Sequence, residues 1–581
     1  MSPVRAQGPE NVLVVVNKDS PDSIAIANRY VQLRNVPAVN VVYLRGITTL
    51  KNHGPESTSS KAFQREILNP ILKAMKGRGI EDQIDCIAYS AGFPTRINFN
   101  PELKRYLNAT GIKYKLQLHA PWASITSLTY FHQNAFSRNP DFLELDANNY
   151  ANPRRMTVLA NPFTGKDAVE FRSAISHIQA ADFNQAIEKL IPLGRVHRRQ
   201  VPVIYALAWC FASTGEDKKA INLLEYAAQL GFASRSLLEK AEAFFNIRTQ
   251  PEFKKIVAQM EDLPDGAIPT RSFSAQTYWA KNGWPSGNND QGERYLLSSV
   301  LAVTGQNQST LDSSLIRLTD SASVDGTKPR GNVYFADHKD VRSKVRRHEF
   351  SPAVKELKSL GQNASIGSAI YPTGDSQVIG ATLGSAAPKW SKSKSKFVPG
   401  AICDNLTSYG ASWQKPAQTQ ITEWLDAGAA GASGTVYEPF AIAAKFPSAR
   451  WHAHYARGCT LAESYYQSVS GPVQLLLVGD PLCCPFGNFP RFSVEGLKSG
   501  TTVKADFELQ INAAANGPNI RSYEMFYDGV FVSAIENPDD VQVAIDGMKN
   551  GRHEIRIVGI ADTPTANRTS KRLEFAIAKN D

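Results

Sequence analysis

The chain has 581 residues, with Lys+Arg 64 against Asp+Glu 54, a formal charge of +10 and 42% hydrophobic residues. At about 150 residues per domain this length predicts three or four domains, and the composition excludes a disordered chain or a coiled coil. The longest strictly aliphatic runs, at 12–16 and 475–478, are strand-length and far short of the ~20 apolar residues of a membrane span, so no integral membrane segment is expected.

Met1 to Gln7 lack the apolar core of a signal peptide, unless Val4-Arg5-Ala6-Gln7 are the tail of one that starts further upstream. Residues 12–16 then form a continuous apolar run, the pattern of a strand buried on both faces. Ser20 before Pro21 predicts a helix start, with a polar N-cap and proline at the first helical position. Ile24, Ala27 and Val31 share one face of that helix. Strands at 39–44 and 84–89 follow, and strand, helix, strand at this spacing argues for a parallel α/β sheet.

Residues 165–262 change to alanine-rich helical patterns. Phe183-Asn-Gln-Ala186-Ile187 recurs as Asp217-Lys-Lys-Ala220-Ile221, with the alanines 34 positions apart. A 34-residue helical period is the tetratricopeptide (TPR) signature, and a generic helical hairpin is the competing reading. The α/β pattern resumes near Gly292. It predicts helices at 295–301, 353–360, 422–427 (closed by Gly428) and 461–469, and strands at 331–336, 377–383, 397–402, 430–436 and 473–478. From 488 onward about seven short alternating segments, with Asp528-Gly529 and Asp546-Gly547 as turns, predict a β-sandwich of immunoglobulin type. The expected domains are therefore an α/β domain in two parts, 9–163 and 265–487, around a TPR-like insertion at 164–264, and a sandwich at 488–581.

Basic clusters at 195–199, 342–347 and 392–396 read as solvated faces, because a nucleic-acid groove needs a basic stripe with stacking aromatics. No nucleic-acid partner is expected. The six cysteines (86, 210, 403, 459, 483 and 484) have no Cys-x-x-Cys spacing, so neither a zinc site nor a disulfide framework is predicted. No phosphate loop, dinucleotide fingerprint or nucleophile elbow occurs, and no cofactor is expected.

In parallel α/β sheets reactive groups lie at the carboxyl ends of strands. Three ends carry suitable residues: Leu383-Gly384-Ser385, Cys403-Asp404-Asn405 and Tyr437-Glu438-Pro439. With Trp390 after the first, the Gly-Ala-rich 427–434 before the third and Gly479-Asp480-Pro481 near the end, this order resembles the gingipain–caspase clan of cysteine peptidases. The resemblance covers about 375–485 and implies a mainly parallel, three-layer caspase/gingipain-like sheet. It implies Cys403 as nucleophile. Where the clan has histidine, this chain has Leu383, and leucine cannot hold a thiol as thiolate. His452 and His454, in Trp451-His-Ala-His-Tyr455, are the substitute bases on offer, with the backbone near Gly384 and Ser385 as oxyanion hole and Glu438 and Asp404 lining a strand-end pocket. On a strand, such a His-x-His pair could also ligate a metal. The competing readings are a buried, unreactive thiol and helix-packing histidines.

Over 9–163 and 265–490, Asp325-Gly326-Thr327, Pro399-Gly-Ala-Ile-Cys403, Thr407-Ser408-Tyr-Gly410, Gly431-Ala-Ser-Gly-Thr-Val-Tyr-Glu-Pro439, Lys445-Phe446-Pro447 and Leu476-Leu-Val-Gly-Asp-Pro-Leu482 resemble an uncharacterised bacterial family found in species that carry exosortase, the membrane transpeptidase of a protein-sorting system. That resemblance implies export to the periplasm or cell surface and carries over no catalytic residue. Two readings follow. One is a non-catalytic peptidase-like scaffold that grips a protein or peptide partner in the TPR-like groove. The other is a cysteine peptidase-like hydrolase using Cys403.

Overall fold

The computed structural model describes residues 7–50, 54, 56–110, 122–136, 141–151, 161–163, 165–197, 200–229, 232, 234–260, 270–280, 283, 285, 292–305, 307–374, 376–414 and 417–579. Val4-Arg5-Ala6 and part of the basic cluster at 195–199 lie outside them. The chain divides into two compact units: Met1–Ala151, Thr270–Tyr278 and Glu293–Asp581 form one, Asn152–Pro269 and Trp279–Gly292 the other.

The first unit is mixed α/β. Its strands in chain order are β1 (Val12–Asn17), β2 (Val41–Leu44), β3 (Ser57–Ser59), β4 (Cys86–Tyr89), β5 (Arg96–Asn98), β6 (Trp122–Ser124), β7 (Leu297–Val300), β8 (Asn332–Ala336), β9 (Asn363–Gly367), β10 (Gln377–Leu383), β11 (Lys396–Asn405), β12 (Gly431–Thr435) and β13 (Leu475–Gly479). Ten of them make one sheet in the order β2-β1-β4-β7-β13-β12-β11-β10-β8-β9, and β3, β5 and β6 form a small second sheet. Every pair in the large sheet is parallel except β12 with β13.

That one antiparallel seam divides the sheet into two parallel halves. Numbered by chain order within each half, β2-β1-β4-β7-β13 and β9-β8-β10-β11-β12 both run 2-1-3-4-5, the flavodoxin-like doubly wound order. The fifth strand of the first half, β13, arrives only after the second half is complete. The residues fit these places. Val12, Leu13, Val14, Val15 and Val16 of β1 are all fully buried, as a strand covered on both faces requires. Ser20 caps the helix Pro21–Arg34 by accepting from the Ser23 N–H, as its sequence predicts. The seam strand β12 is built from small residues for a steric reason: a Cβ on Gly431 would lie 2.5 Å from Leu461 Cδ2, and one on Gly434 2.5 Å from Ile421 Cγ2.

The segment 295–301 departs from its expected helix and forms β7. Its Ser298 and Ser299 interrupt the apolar run; Ser299 Oγ donates to the Gly479 carbonyl (2.8 Å), whereas the buried Ser298 hydroxyl has no hydrogen-bond partner. The cluster at 342–347 is also no solvated face throughout. Arg346 is 1% exposed and bonded to Asp404.

The C-terminal strands β14 (Phe492–Glu495), β15 (Thr501–Val503), β16 (Phe507–Ala513), β17 (Ile520–Tyr527), β18 (Val530–Ile535), β19 (Val541–Val543), β20 (Gly551–Ala561) and β21 (Arg568–Ile577) belong to a three-stranded sheet, β14-β16-β19, and a five-stranded one, β15-β21-β20-β17-β18. Leu509 and Ile511 from the first and Ile555, Ile557 and Phe575 from the second share one core. Asp528 and Gly529 turn the β17–β18 hairpin with φ of 46° and 83°, the positive angles a type I′ turn requires.

The second unit is helical. Gly165–Gln179 pairs with Phe183–Val196, and Val201–Ser213 with Asp217–Gln229, followed by Arg235–Lys240 and Pro251–Gln259. Ala186 and Ala220, the equivalent alanines, are both fully buried.

Candidate functional site

The three strand ends singled out in the sequence are those of β10, β11 and β12, neighbours in the second half of the sheet. β10 and β11 pair Gly380 with Ile402, Ala381 with Cys403, Thr382 with Asp404 and Leu383 with Asn405. Side chains alternate faces along a strand, so Cys403 and Leu383 share one face while Thr382 and Asp404 share the other.

On the Thr382 face the crevice is filled by a buried ion pair. Arg346 donates to Asp404 Oδ2 (2.6 Å), to the Pro447 carbonyl (2.9 Å) and to the Leu383 carbonyl (2.9 Å), and Ser433 Oγ donates to Asp404 Oδ1 (2.6 Å). Removing one partner of so buried a pair leaves an uncompensated charge, a cost of about 3–5 kcal/mol. Asp404 is therefore taken up by structural contacts to Arg346 and Ser433.

The two histidines sit on the helix Arg450–Ala456, so the strand geometry that a His-x-His metal pair would need is absent. His452 Nε2 lies 2.9 Å from Thr382 Oγ1, which places the imidazole on the face opposite Cys403. Burial, then Arg346, pushes its pKa down to about 3. His454 Nδ1 lies 2.9 Å from Thr270 Oγ1, and burial with Arg450, Arg457 and Arg271 around it holds its pKa well below the ordinary value. Both rings are neutral packing groups at neutral pH. Among the described residues no three His, Cys, Asp or Glu side chains form a metal-holding group.

Cys403 is fully buried, and burial, reinforced by Asp404, pushes its thiol well above the ordinary value. The expected oxyanion donors are engaged elsewhere. The Ser385 N–H donates to Asn405 Oδ1 and Asn405 Nδ2 donates back to the Ser385 carbonyl, both at 3.0 Å. Gly384 is pressed against the Val341–Lys344 turn, where an added Cβ would meet Ser343 N at 2.5 Å. Glu438 is half-buried and turned to its own loop, its Oε1 accepting from the Phe440 N–H (2.9 Å). Nearby, Lys445 donates to Gln474 Oε1 (2.7 Å), and burial pushes its pKa down to about 8. The structure thus brings Asp404, Ser385 and Gly384 to the carboxyl ends of β10 and β11, with the His452 imidazole on the face opposite the sulfur.

Open space occurs elsewhere. A cavity of ≈ 400 Å³ lies where the chain leaves β4 (Gly92, Phe93, Thr95) and β7 (302–305, 307 and 308), and is completed by Glu56, Trp413 and Gln414. Doubly wound sheets take ligands outside the carboxyl ends of their strands. The switch point itself, between β1 and β4, is closed by Asn17 Nδ2 donating to the Gly92 carbonyl (2.6 Å), so the opening is displaced by one strand. Three buried polar atoms in this wall have no hydrogen-bond partner: Glu56 Oε1, Thr95 Oγ1 and Trp413 Nε1. Each such orphan costs about 1–3 kcal/mol. No sequence motif marks these residues, which come from three segments far apart in the chain.

No protein-family model matches the sequence, and no curated protein does. Among solved structures, similar regions occur in the fibronectin(III)-like modules of CbhA from Clostridium thermocellum, at 13% identity over 15% of this chain and 96% of that one, with a TM-score of 0.13. The PKD1 domain of the Vibrio cholerae metalloprotease PrtV matches at 13% identity over 16% of this chain and 95% of that one (TM-score 0.12). The endo-beta-1,4-mannanase from Thermotoga petrophila matches at 9% identity over 65% of this chain and 83% of that one (TM-score 0.14). The reading of the site rests on its own geometry.

Proposed function

We propose that the protein is a peptidase-like scaffold, inactive at Cys403, that binds a protein or peptide partner in an exosortase-linked export or cell-surface setting. One observation carries this reading: the Cys403 thiol and the His452 imidazole lie on opposite faces of the sheet, with Leu383 where the gingipain–caspase pattern has its histidine. A thiol that is fully buried, raised in pKa and without a base cannot attack a peptide carbonyl at a useful rate.

The accessory modules support the binding half of the proposal. In the helical unit the buried alanines recur at the TPR interval, while Val169 (54% exposed), Val196 (75%) and Phe245 (70%) present apolar surface to solvent. Paired helices of TPR type grip extended or helical peptides along such surfaces. The C-terminal sheets, read as an immunoglobulin-type sandwich, are a second surface for orientation or display.

The test is capture. Full-length protein immobilised and exposed to the extracellular and periplasmic fractions of an exosortase-carrying bacterium should retain a discrete protein, and replacing 165–262 with a short linker should abolish that retention. Recovery of no partner, or of the same partner by the shortened chain, contradicts the proposal.

A further inference from the structure

We propose that the turn at 390–396, which leads into β11, is a binding site for a dianionic phosphoryl group, carried by free phosphate or by a lipid headgroup. It is formed by residues other than those around Cys403, and it does not depend on the scaffold reading.

The sequence concentrates positive charge here. Lys389, Lys392, Lys394 and Lys396 fall within eight residues, and no Asp or Glu occurs from 376 to 403. All four lysines are exposed, while their neighbours Trp390, Ser393, Ser395 and Phe397 are buried. The buried residues fix the backbone and leave the ammonium groups outside. Trp390 stacks on Phe397 at 4.0 Å and 7°, Ser393 Oγ donates to the Pro372 carbonyl (2.8 Å), and Ser395 Oγ donates to the Gly374 carbonyl (2.9 Å). Among the described residues none of the four lysine side chains has an ion-pair or hydrogen-bond partner. Glu423, the one carboxylate bonded to the turn among them, accepts the Trp390 N–H (2.7 Å).

The backbone adds donors to the charge. Ser393 is right-handed (φ −73°, ψ −27°) and Lys394 left-handed (φ 57°), and such a succession turns neighbouring N–H groups toward one anion. The Ser393 N–H closes the turn on the Trp390 carbonyl (2.8 Å). Among the described residues the N–H of the exposed Lys394 meets no acceptor, nor does that of Ser395. A phosphoryl group suits this set, since it carries about −1.5 to −2 charge at neutral pH and three acceptor oxygens. A carboxylate brings one charge and two oxygens, and is the competing ligand class in the test. A nucleic-acid strand would need open aromatic faces for its bases, and here Trp390 and Phe397, 5% and 7% exposed, cover each other.

The experiment titrates the full chain with inorganic phosphate, and with acetate as the carboxylate control, at low ionic strength, read by the amide NMR shifts of protein carrying isotope-labelled lysine and serine. Phosphate should bind and move the Lys394 and Ser395 amides. Replacing Lys392, Lys394 and Lys396 together by Gln should weaken it by about tenfold or more. Lys394→Gly and Lys394→Val lose the same charge, but only glycine takes a left-handed angle without strain. The valine variant should therefore bind about tenfold more weakly than the glycine one. Vesicles of phosphatidylcholine with and without phosphatidic acid separate the two sources. Retention by the acidic vesicles alone assigns the group to a lipid, and no retention with phosphate binding intact assigns it to free phosphate; both support the site. If Lys394→Val fails to fold, the triple Gln variant decides alone. No phosphate binding, acetate bound as tightly as phosphate, unchanged binding in the triple variant, or equal binding by the glycine and valine variants would each overturn the proposal.

Discussion

His452 shows how one buried side chain sets a property of the whole fold. Its ring is 3% exposed, meets Phe335 edge-on at 5.5 Å and shares a hydrogen bond with Thr382. The folded protein keeps it neutral down to about pH 3, whereas the unfolded chain takes a proton near the ordinary 6.5. Unfolding therefore takes up a proton in that window. The stability contributed by His452 is full above pH 6.5 and is lost as the pH falls toward 3, at about 1.4 kcal/mol per pH unit. Glu463, pushed up to about 7 by burial, acts in the opposite sense: its contribution is present below the ordinary 4.5 and lost as the pH rises toward 7. His452→Gln can keep the bond to Thr382 without the titration. Denaturant midpoints measured from pH 7 to pH 4 should fall less steeply for this variant than for the parent, by about one proton's worth of slope. Parallel curves would show that the imidazole titrates normally and is not sealed in.

At the level of elements, what was readable depended on whether a segment's structure is decided locally. The Ser20-Pro21 helix start, β1 and the Asp528-Gly529 turn follow from neighbouring residues alone, and all appear where the sequence puts them. The strand β7 does not follow, because its two serines break the apolar run and the partner that takes up the Ser299 hydroxyl, the Gly479 carbonyl, lies more than 150 residues away. The edge strand β9 went unread because its outward positions are half-buried or exposed and carry little apolar patterning. The Asp528-Gly529 turn also reaches the α/β part of its unit, a connection no local pattern encodes. Gln83 Nε2 donates to the Gly529 carbonyl (2.8 Å) and Gln83 Oε1 accepts from the Phe531 N–H (2.9 Å). Gln83→Ala removes both of these hydrogen bonds, at a cost of about 1–3 kcal/mol. Hydrogen exchange of the amides around 529–531 should speed up by about tenfold or more in the variant. Unchanged exchange would mean that the hairpin holds itself in place.

Across the whole molecule the organising feature is the pair of 2-1-3-4-5 half-sheets joined at one antiparallel seam. The sequence revealed a parallel α/β sheet interrupted by helices, yet it could not show the seam, since strand direction is set by which partner each strand finds. The seam explains why β13 closes the first half so late in the chain, and why Asp480 behind it binds Tyr30 (3.0 Å) and Arg34 on the first helix. The Gly479-Asp480-Pro481 motif thus has a structural use that needs no catalysis. For the candidate site, the sequence found Cys403, Asp404 and the histidines but not their faces, because alternation assigns faces only once the register of β10 on β11 is known. It gave no sign of Glu56, Thr95 and Trp413 as a group.

Whether the sulfur of Cys403 has chemistry to perform is decided by alkylation of the native full-length protein with iodoacetamide near neutral pH, followed by peptide mass spectrometry of all six cysteines. Cys403, buried like the other five, should react no faster than they do and be modified readily only after denaturation. Selective, rapid modification of Cys403 in the folded protein would contradict it and restore the hydrolase reading.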